Sequence, residues 1–379
     1  MNNNLVWINA CEASADNYGA MLMQELKKKS PGLEFTGMGG PAMRELGLQP
    51  VFRSEDLSLV GLTEVFTSLP RIMGYLKQIK KRMQEKPPGI VVLLDAPDFN
   101  FRLARMAHSL DIPVLYFVPP QVWAWRKSRV RFLKKYVDRI ACIFPFEPAF
   151  FRKHGIKASF VGHPAMESLN LAALEKISFR QHQIALLPGS RKKEISSLLP
   201  LFSKSANILR QTYPDLTVNV VQAPGVPMEF LRRFCPQDPW FRFVSSEDRH
   251  ACIKKCSMAL AASGTVTLEC AILEVPAIVA YKLSWLSYQV GRMLIHVKYI
   301  SMPNLILGRQ IFPELIQHQA NVNNLVSAAR AWLENPDQTS RIREDLKKIK
   351  ALLGYTSAGR ACAELTLELM QKATSNEIH

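Results

Sequence analysis

The sequence predicts an α/β protein built from two doubly wound, parallel-sheet domains that face a cleft. Three observations lead to this prediction. The chain has 379 residues, which is long for a single domain. Short apolar runs of strand length alternate with amphipathic stretches of helix length, which is the order of parallel βαβ units. The alternation pauses around 162–183 and then starts again, so that segment is interpreted as a linker.

The first domain is expected to span 1–168. Its predicted strands lie at 5–9, 90–94, 113–118 and 139–144, and its predicted helices at 16–29, 69–85, 100–110 and 128–136. A last amphipathic helix at 357–373 has no strand after it. We expect that helix to pack back on the first domain.

The second domain is expected to span 178–355. Its predicted strands lie at 184–188, 217–222, 258–262 and 277–281, and its predicted helices at 194–211, 265–274, 284–296 and 321–334. Apolar residues make up 48% of the chain, so each domain can bury a core of its own.

The positive charge of the chain is concentrated in two places. The formal net charge is +16, and 71–86 and 126–139 together carry +11 of it. Such focused charge indicates an anionic partner, either nucleic acid, an acidic membrane or a phosphorylated substrate, although solvated helix faces are an equally good interpretation. Within the first segment, one apolar stripe lies beside these cations, and it faces either the core or a membrane: Ile72, Leu76, Ile79 and Met83.

The cysteines and the apolar runs limit the location of the protein. The seven cysteines form no CxxC pair, which argues against zinc, and the start of the chain lacks the pattern of a secretory signal. The longest apolar passage, 258–281, contains Glu269, Glu274 and Pro276, which do not suit a membrane span. We therefore expect a cytosolic chain whose membrane contact is peripheral.

Two loops in the second domain have the pattern of phosphate-binding turns. In "IALLPGSRKKE", a buried strand is followed by a tight turn with Gly189, Ser190 and Arg191 at the start of a helix. Glycine allows close approach of a ligand, free amides at a helix start attract anions, and a guanidinium matches phosphate oxygens. A simple turn is the alternative interpretation.

The second such loop is "ALAASGTVTLE". Here Ser263, Gly264 and Thr265 open a helix after a buried strand, and Glu269 lies one turn further on the same face. Its carboxylate could accept hydrogen bonds from ribose hydroxyls, as an acidic residue does in dinucleotide folds. A capped helix with a solvent-facing glutamate is the alternative, but two such loops in one domain favour phosphate.

In the first domain, carboxylates follow two strands where open α/β sheets bind their ligands. Asp95 and Asp98 follow the buried run Ile90–Leu94, and Glu12 follows the first strand, with Ser14 and Asp16 as candidate helix caps. Glu12 has either a capping role or a functional one.

Aromatic residues lie beside the second basic segment, in "PPQVWAWRKSR". Trp123 could stack on bases, lie against a sugar or belong to the core.

Ten motifs occur together in the order found in lipid-A-disaccharide synthases, which the chain resembles over nearly its whole length. They are "CEASAD", "GMGGPAM", "DLSLVGLTEV", "DAPDFN", "PPQVWAWR", "PFEPAFF", "LPGSRKKE", "ASGTVTLE", "SMPNLI" and "PELIQ". The chain departs from the family where Cys11 and Ala15 replace glycines, and where Pro119–Gln121 replaces the usual serine region.

The resemblance implies an inverting glycosyltransferase of GT-B architecture, with two Rossmann-like domains and no metal or cofactor. The donor would be UDP-2,3-diacylglucosamine and the acceptor 2,3-diacylglucosamine 1-phosphate, joined as a β(1→6) disaccharide 1-phosphate at the inner-membrane surface. The second domain would bind UDP. The resemblance adds three residues to that side: Asn304, Glu314 and Gln317.

The resemblance also implies a base that removes the proton of the acceptor 6-hydroxyl. We assign this role to Asp95, which ends a strand and is expected to be ionised in the free protein. Asp98 is the alternative base, although its position also suits a cap of a helix beginning near Phe99.

Two other functions are weighed against this one. Another GT-B enzyme acting on a UDP-amino-sugar, such as a UDP-GlcNAc 2-epimerase, would share the phosphate loops but not "DAPDFN" or "VWAWR". A basic nucleic-acid-binding protein would leave the paired carboxylates unexplained, so no nucleic-acid partner is expected. Homo-oligomer formation is left open by the sequence.

Overall fold

The computed structural model describes residues 2–55, 65–123, 128–282, 298–354 and 357–377. These residues form two compact units. Unit 1 takes its residues from Met1–Glu167 and Tyr355–His379, and unit 2 from Ser168–Gly354. The helix predicted at 284–296 lies outside the described residues.

Unit 1 is built on a seven-stranded sheet in which all pairings are parallel. The sheet order is β3-β2-β1-β4-β5-β6-β7, so the order reverses between β1 and β4. All seven residues of β4 are buried, as expected of a parallel strand covered on both faces. The strands are β1 (Asn2–Ala10), β2 (Glu34–Gly39), β3 (Gln49–Arg53), β4 (Pro88–Leu94), β5 (Val114–Phe117), β6 (Arg139–Cys142) and β7 (Ala158–Phe160).

Helices connect these strands and bury their apolar faces against the sheet. They are α1 (Ala13–Lys29), α2 (Pro41–Glu45), α3 (Val65–Glu85), α4 (Pro97–His108), α5 (Ser128–Tyr136), α6 (Glu147–Lys153), α7 (Ala165–Ser168) and the closing helix, α16 (Ala358–Glu377). The stripe on α3 is part of the core, because Leu76, Ile79 and Met83 are buried and Ile72 packs against them. The closing helix contacts α1, where Lys29 forms an ion pair with Glu364.

Unit 2 repeats the architecture on a six-stranded parallel sheet, ordered β10-β9-β8-β11-β12-β13. The order reverses here between β8 and β11. The strands are β8 (Arg180–Leu187), β9 (Thr217–Val221), β10 (Phe241–Val244), β11 (Cys256–Ala262), β12 (Ala277–Tyr281) and β13 (Glu314–Ile316).

The helices of unit 2 are α8 (Leu171–Leu174), α9 (Lys192–Thr212), α10 (Met228–Arg232), α11 (Arg249–Lys255), α12 (Thr265–Ile272), α13 (Met302–Leu307), α14 (Val322–Leu333) and α15 (Pro336–Leu352). The predicted linker at 162–183 is too long, because α7, α8 and the start of β8 lie within it. The apolar passage 258–281 consists mainly of β11, α12 and β12. No helix among the described residues is both long enough and apolar enough to span a bilayer.

Candidate active site

The two strands at the reversal point of unit 1 end side by side. Ala10 of β1 and Leu94 of β4 are partners in the sheet register. Cys11 and Glu12 therefore follow one strand end, and Asp95 follows its neighbour. Ligands of open α/β sheets bind at such a point, where the strand order reverses.

The main chain is strained where β4 and β5 end. Asp95 and Ala96 have φ angles of 51° and 34°, and Val118 after β5 has φ of 59°. Residues with a Cβ seldom occupy this left-handed region, and each such residue costs on the order of 1–3 kcal/mol. Strain of this kind clusters at functional sites, so it marks this edge of the sheet.

The side chain of Asp95 is buried but has no hydrogen-bond partner within the described part of the chain, at either carboxylate oxygen. Burial, and after it the negative charge of Glu12, raise the pKa of Asp95 to about 8. The N–H groups of Cys11 and Glu12 lower the pKa to a smaller extent, without reaching hydrogen-bond geometry. Desolvation thus favours the protonated form of Asp95, against the expectation that this carboxyl group is ionised in the free protein.

Asp98 does not cap the following helix. Helix α4 begins at Pro97, and the residue at the cap position is Ala96, which forms no side-chain cap. The Asp98 side chain is 84% exposed and forms an ion pair with Arg129. The predicted cap is thus wrong, since the helix starts earlier than expected and Asp98 lies inside its first turn.

Glu12, Ser14 and Asp16 lie at the start of α1. Glu12 occupies the cap position of the helix without a side-chain cap, and Ser14 is exposed. Asp16 is buried, and its carboxylate accepts the N–H groups of Gly40, Ala42 and Met43 at 2.7–3.2 Å. Ser14 and Asp16 are therefore not caps of α1, because Asp16 instead holds the start of α2.

The glycines of "GMGGPAM" follow from this arrangement. A Cβ on Gly40 would lie 2.5 Å from Asp16 Oδ2, and a Cβ on Gly37 would lie 2.0 Å from the carbonyl oxygen of Ile8. The motif is therefore explained by close packing on β1 and on Asp16.

Trp123 is held by a carboxylate that the sequence did not single out. Its indole Nε1 donates to Glu147 Oε1 at 3.0 Å, and the N–H groups of Ile143 and Phe144 donate to Oε2 at 3.2 and 3.1 Å. Burial raises the pKa of Glu147 to about 7, against the lowering effect of these three donors. Phe146 packs edge-on against the Trp123 ring at 4.9 Å, so a partly exposed aromatic surface is fixed beside the strand ends.

In unit 2, the loop after β8 carries Ser190 and Arg191, both exposed. Gly189 has φ of 97°, and a Cβ there would lie 2.0 Å from Glu194 Oε2. Burial raises the pKa of Glu194, while the charge of Arg191 and the N–H groups of Ser190 and Arg191 lower it. Glycine is favoured at position 189 because a φ of 97° is strained for any residue with a Cβ.

The loop after β11 lies beside the loop after β8, because Ala261 and Leu187 are register partners. Gly264 precedes α12, and a Cβ there would meet open space. Glu269 does not point to solvent: its Oε1 accepts a hydrogen bond from Arg249 Nη2 at 2.6 Å.

Asn304 and Glu314 are brought together, but each is occupied by protein groups. Asn304 is fully buried, with Oδ1 bound by the N–H groups of Ile311 and Phe312 and Nδ2 donating to the Phe312 oxygen and to Glu314 at 2.8 Å. A side-chain amide has no further hydrogen bonds to offer. The Asn304 side chain therefore supports this edge of unit 2 through its four hydrogen bonds to protein groups.

Glu314 organises the segment before α13. Its carboxylate accepts the N–H groups of Ile300 and Ser301, each at 2.9 Å, and the Ser301 hydroxyl at 2.7 Å. Gln317 opens a short 3-10 helix directly after β13, with φ of 54°.

Comparison with known proteins decides between the remaining interpretations. A family model described as lipid-A-disaccharide synthetase matches residues 6–365. The chain belongs to this family. The lipid-A-disaccharide synthase of Syntrophus aciditrophicus is 38% identical over 382 residues, covering 98% of this chain and 100% of that protein. The corresponding protein of Geobacter sulfurreducens is 34% identical, covering 97% of both chains.

Solved structures confirm the predicted GT-B fold. The calicheamicin glycosyltransferase CalG4 covers 98% of this chain with a TM-score of 0.63 at 13% identity. A UDP-GlcNAc 2-epimerase from Neisseria meningitidis covers 97% with a TM-score of 0.61 at 11% identity. Identities this low show the fold alone. The chemistry follows from membership of the lipid-A-disaccharide synthetase family, which makes the chain a glycosyltransferase of lipid A synthesis and disfavours the epimerase and nucleic-acid alternatives.

Proposed function

We propose that the enzyme transfers 2,3-diacylglucosamine from UDP to the 6-hydroxyl of 2,3-diacylglucosamine 1-phosphate, forming the β(1→6) disaccharide 1-phosphate and UDP. Unit 1 would bind the acceptor and unit 2 the donor. The observation that carries the proposal is Asp95: a buried carboxylate without a partner, on a strained turn where the strand order reverses.

In the proposed reaction, the Asp95 carboxylate accepts the proton of the acceptor 6-hydroxyl. The hydroxyl oxygen attacks C1 of the donor sugar from the face opposite UDP, and the bond between C1 and the diphosphate breaks. The electron pair of that bond leaves with UDP, and the configuration at C1 inverts. A base is most effective when its pKa lies near the working pH, and a pKa of about 8 for Asp95 meets this condition.

Unit 2 offers the groups that suit a nucleoside diphosphate. The loops after β8 and β11 lie at the reversal point of its sheet, where Ser190, Arg191 and the start of α12 are found. Arg191 is exposed and able to receive the diphosphate. Because Arg249 already binds Oε1 of Glu269, the ribose hydroxyls would use the remaining acceptor capacity of this carboxylate.

The reaction is tested by following UDP release from the purified protein with each substrate alone and with both together. Release that requires both diacylated substrates supports glycosyl transfer. Equal release without the acceptor would indicate hydrolysis of the donor and would contradict the proposal.

The assignment of unit 2 to the donor makes a prediction about UDP affinity. Arg191→Ala and Glu269→Ala should each weaken UDP binding by about 1–3 kcal/mol, because each removes a charge-assisted hydrogen bond. Titration calorimetry measures the effect. Lys204→Ala is the matched control, because Lys204 is an exposed cation on α9, the helix that follows the Arg191 loop. This variant should bind UDP like the unchanged protein. Unchanged affinity in both site variants would remove unit 2 from the donor role.

We further propose that the protein works in the cytoplasm, peripherally on the inner membrane, since both substrates carry acyl chains. The outer face of α3 supports this, because Met73 is 58% exposed next to exposed Lys77, Lys80 and Lys81. The second basic segment, 126–139, has fewer cations available for anionic lipid, because Arg129 pairs with Asp98 and Arg139 pairs with Glu368. Each cation near an anionic surface contributes about 1 kcal/mol.

Vesicle sedimentation tests the membrane contact. The double variant Lys77→Glu and Lys81→Glu should lose binding to anionic vesicles, and the unchanged protein should lose it at high salt, because screening weakens the attraction. The control is Lys347→Glu with Lys348→Glu, the same charge change on α15, where both lysines are exposed in short-range ion pairs. Equal binding to neutral vesicles, or equal losses in both double variants, would count against a role for α3.

A further inference from the structure

Two buried side chains hold the main chain of Asp95. Tyr116 Oη donates to the Asp95 carbonyl oxygen at 2.5 Å, and Asn100 Nδ2 donates to the same oxygen at 2.9 Å. Asn100 Nδ2 also donates to the Leu94 carbonyl oxygen at 2.8 Å. One tether comes from the neighbouring strand β5 and the other from α4, so the turn is held from two directions.

The Asn100 tether is itself fixed from the other side of β4. Asn9 Nδ2, on β1, donates to Asn100 Oδ1 at 2.6 Å, and both amides are fully buried. The turn that carries Asp95 is thus connected to β1 and to β5, the two neighbours of β4 in the sheet. The Asn100 amide is fully partnered, because its Nδ2 donates to two carbonyl oxygens and its Oδ1 accepts from Asn9, and a satisfied buried amide defines one geometry. Asn9 Oδ1 has no hydrogen-bond partner among the described residues.

The turn at Asp95 needs these hydrogen bonds because its main-chain conformation is unfavourable. Asp95 and Ala96 lie in the left-handed region one after the other, and an L-residue there is destabilised by about 1–2 kcal/mol. Two hydrogen bonds to the Asp95 carbonyl fix the peptide plane directly after the Cα that carries the carboxylate. Without them, rotation about ψ of Asp95 would let the turn relax and the carboxylate move toward water.

We propose that Tyr116 and Asn100 are positioning residues for the base: they lock the strained turn so that the Asp95 carboxylate stays unpartnered and out of water. The inference rests on the proposed role of Asp95. It assigns a function to the last residue of "DAPDFN" and to a tyrosine outside every motif.

The titratable groups around Asp95 determine whether the Tyr116 hydroxyl keeps its proton and can donate it. Cys11 and Glu12 face Asp95 from the end of β1, Tyr116 faces it from β5, and Arg129 acts on Tyr116 from α5. Burial, followed by the charge of Asp95, raises the pKa of Tyr116 well above its ordinary value, so its hydroxyl remains a donor. Burial likewise raises the pKa of Cys11, which therefore stays neutral.

The test is Tyr116→Phe, which removes one oxygen and retains the ring that packs edge-on against Phe101. We expect kcat to fall about 10–100-fold, as when a reacting group is misplaced by about 1 Å. We also expect the acid limb of the kcat profile to move to lower pH, because a carboxylate that reaches water ionises more easily. KM for both substrates should stay unchanged.

Tyr136→Phe is the matched control, since Tyr136 is a partly buried tyrosine of the same unit that contacts His108 and Phe132. It should keep the profile of the unchanged enzyme. Asn100→Ser, which withdraws the second tether, should shift the acid limb in the same direction as Tyr116→Phe. Thermal melts and UDP calorimetry confirm that each variant is folded.

The outcomes separate the inference from the function on which it rests. A Tyr116→Phe enzyme with unchanged kcat and acid limb, alongside an inactive Asp95→Asn enzyme, would overturn the positioning role and leave the base in place. Lower kcat with an unmoved acid limb would show general damage and would also overturn it. Full activity of Asp95→Asn would instead overturn the base assignment.

Discussion

Asp95→Asn should lower kcat by about 10²–10⁴, the usual contribution of a positioned general base. The amide keeps the shape of the carboxylate and cannot accept the proton of the acceptor hydroxyl. Because Asp95 lies in unit 1, the affinity for UDP should be unchanged. Steady-state rates and UDP calorimetry on the same preparation measure the two quantities, so that loss of chemistry is distinguished from loss of binding.

Asp98→Asn is the matched control for that experiment, three residues further along the same turn and helix start. It removes the charge that pairs with Arg129, and exposed ion pairs contribute about 0–1 kcal/mol. We expect a reduction in kcat of less than about tenfold. A folded but inactive Asp98→Asn enzyme beside a fully active Asp95→Asn enzyme would transfer the role of base to Asp98.

The second large effect concerns the free energy of unfolding as a function of pH. The pKa of Asp95 is raised from 3.8 to about 8, chiefly by burial, so the unfolded chain ionises this group first. The contribution of protonated Asp95 to the free energy of unfolding is therefore fully present below about pH 4. It is lost as the pH rises to about 8. Over this window, the stability of the unchanged protein relative to Asp95→Asn should fall by up to about 1.4 kcal/mol per pH unit.

Chemical denaturation of both proteins at several pH values measures this difference. Asp98→Asn is again the control, and its difference from the unchanged protein should not follow the same curve. A difference between the unchanged protein and Asp95→Asn that stays constant from pH 4 to 8 would show that the carboxyl group is not desolvated. That result would remove the physical basis of its role.

The fold was predictable where a strand is a continuous apolar run. All eight strands that were predicted from apolar runs are present, because parallel strands buried on both faces have continuous apolar sequences. The five missed strands are β2, β3, β7, β10 and β13. None of these five is buried throughout, and their sequences lack the continuous apolar run that marks the predicted strands. The charged helix α15 was missed because its apolar stripe is diluted by lysine, arginine and acidic residues.

The candidate site was predictable in position and less so in detail. Residues at strand ends, such as Asp95 and Arg191, could be found because the carboxyl edge of a parallel sheet is known from strand direction alone. The cap assigned to Asp98 failed for a different reason. It depends on where the helix begins and on which neighbour the side chain meets, and spacing along the chain does not report that.

The residues missed altogether share one property, which is that they are polar and buried. Glu147, Tyr116 and Asn100 act through hydrogen bonds to residues 3 to 91 positions away. Two of them lie in motifs, "PFEPAFF" and "DAPDFN", whose polar members among apolar residues were the available signal. A buried polar side chain needs a partner, so such positions indicate a site even before its geometry is known.

The most direct test of the central claim is the structure of the product. The purified protein is incubated with UDP-2,3-diacylglucosamine and 2,3-diacylglucosamine 1-phosphate, and the lipid fraction is examined by mass spectrometry and by NMR of the anomeric proton. We predict a tetra-acylated disaccharide 1-phosphate with a β(1→6) linkage, formed in equal amount to UDP. Free diacylglucosamine, an epimerised donor or an α linkage would contradict the account.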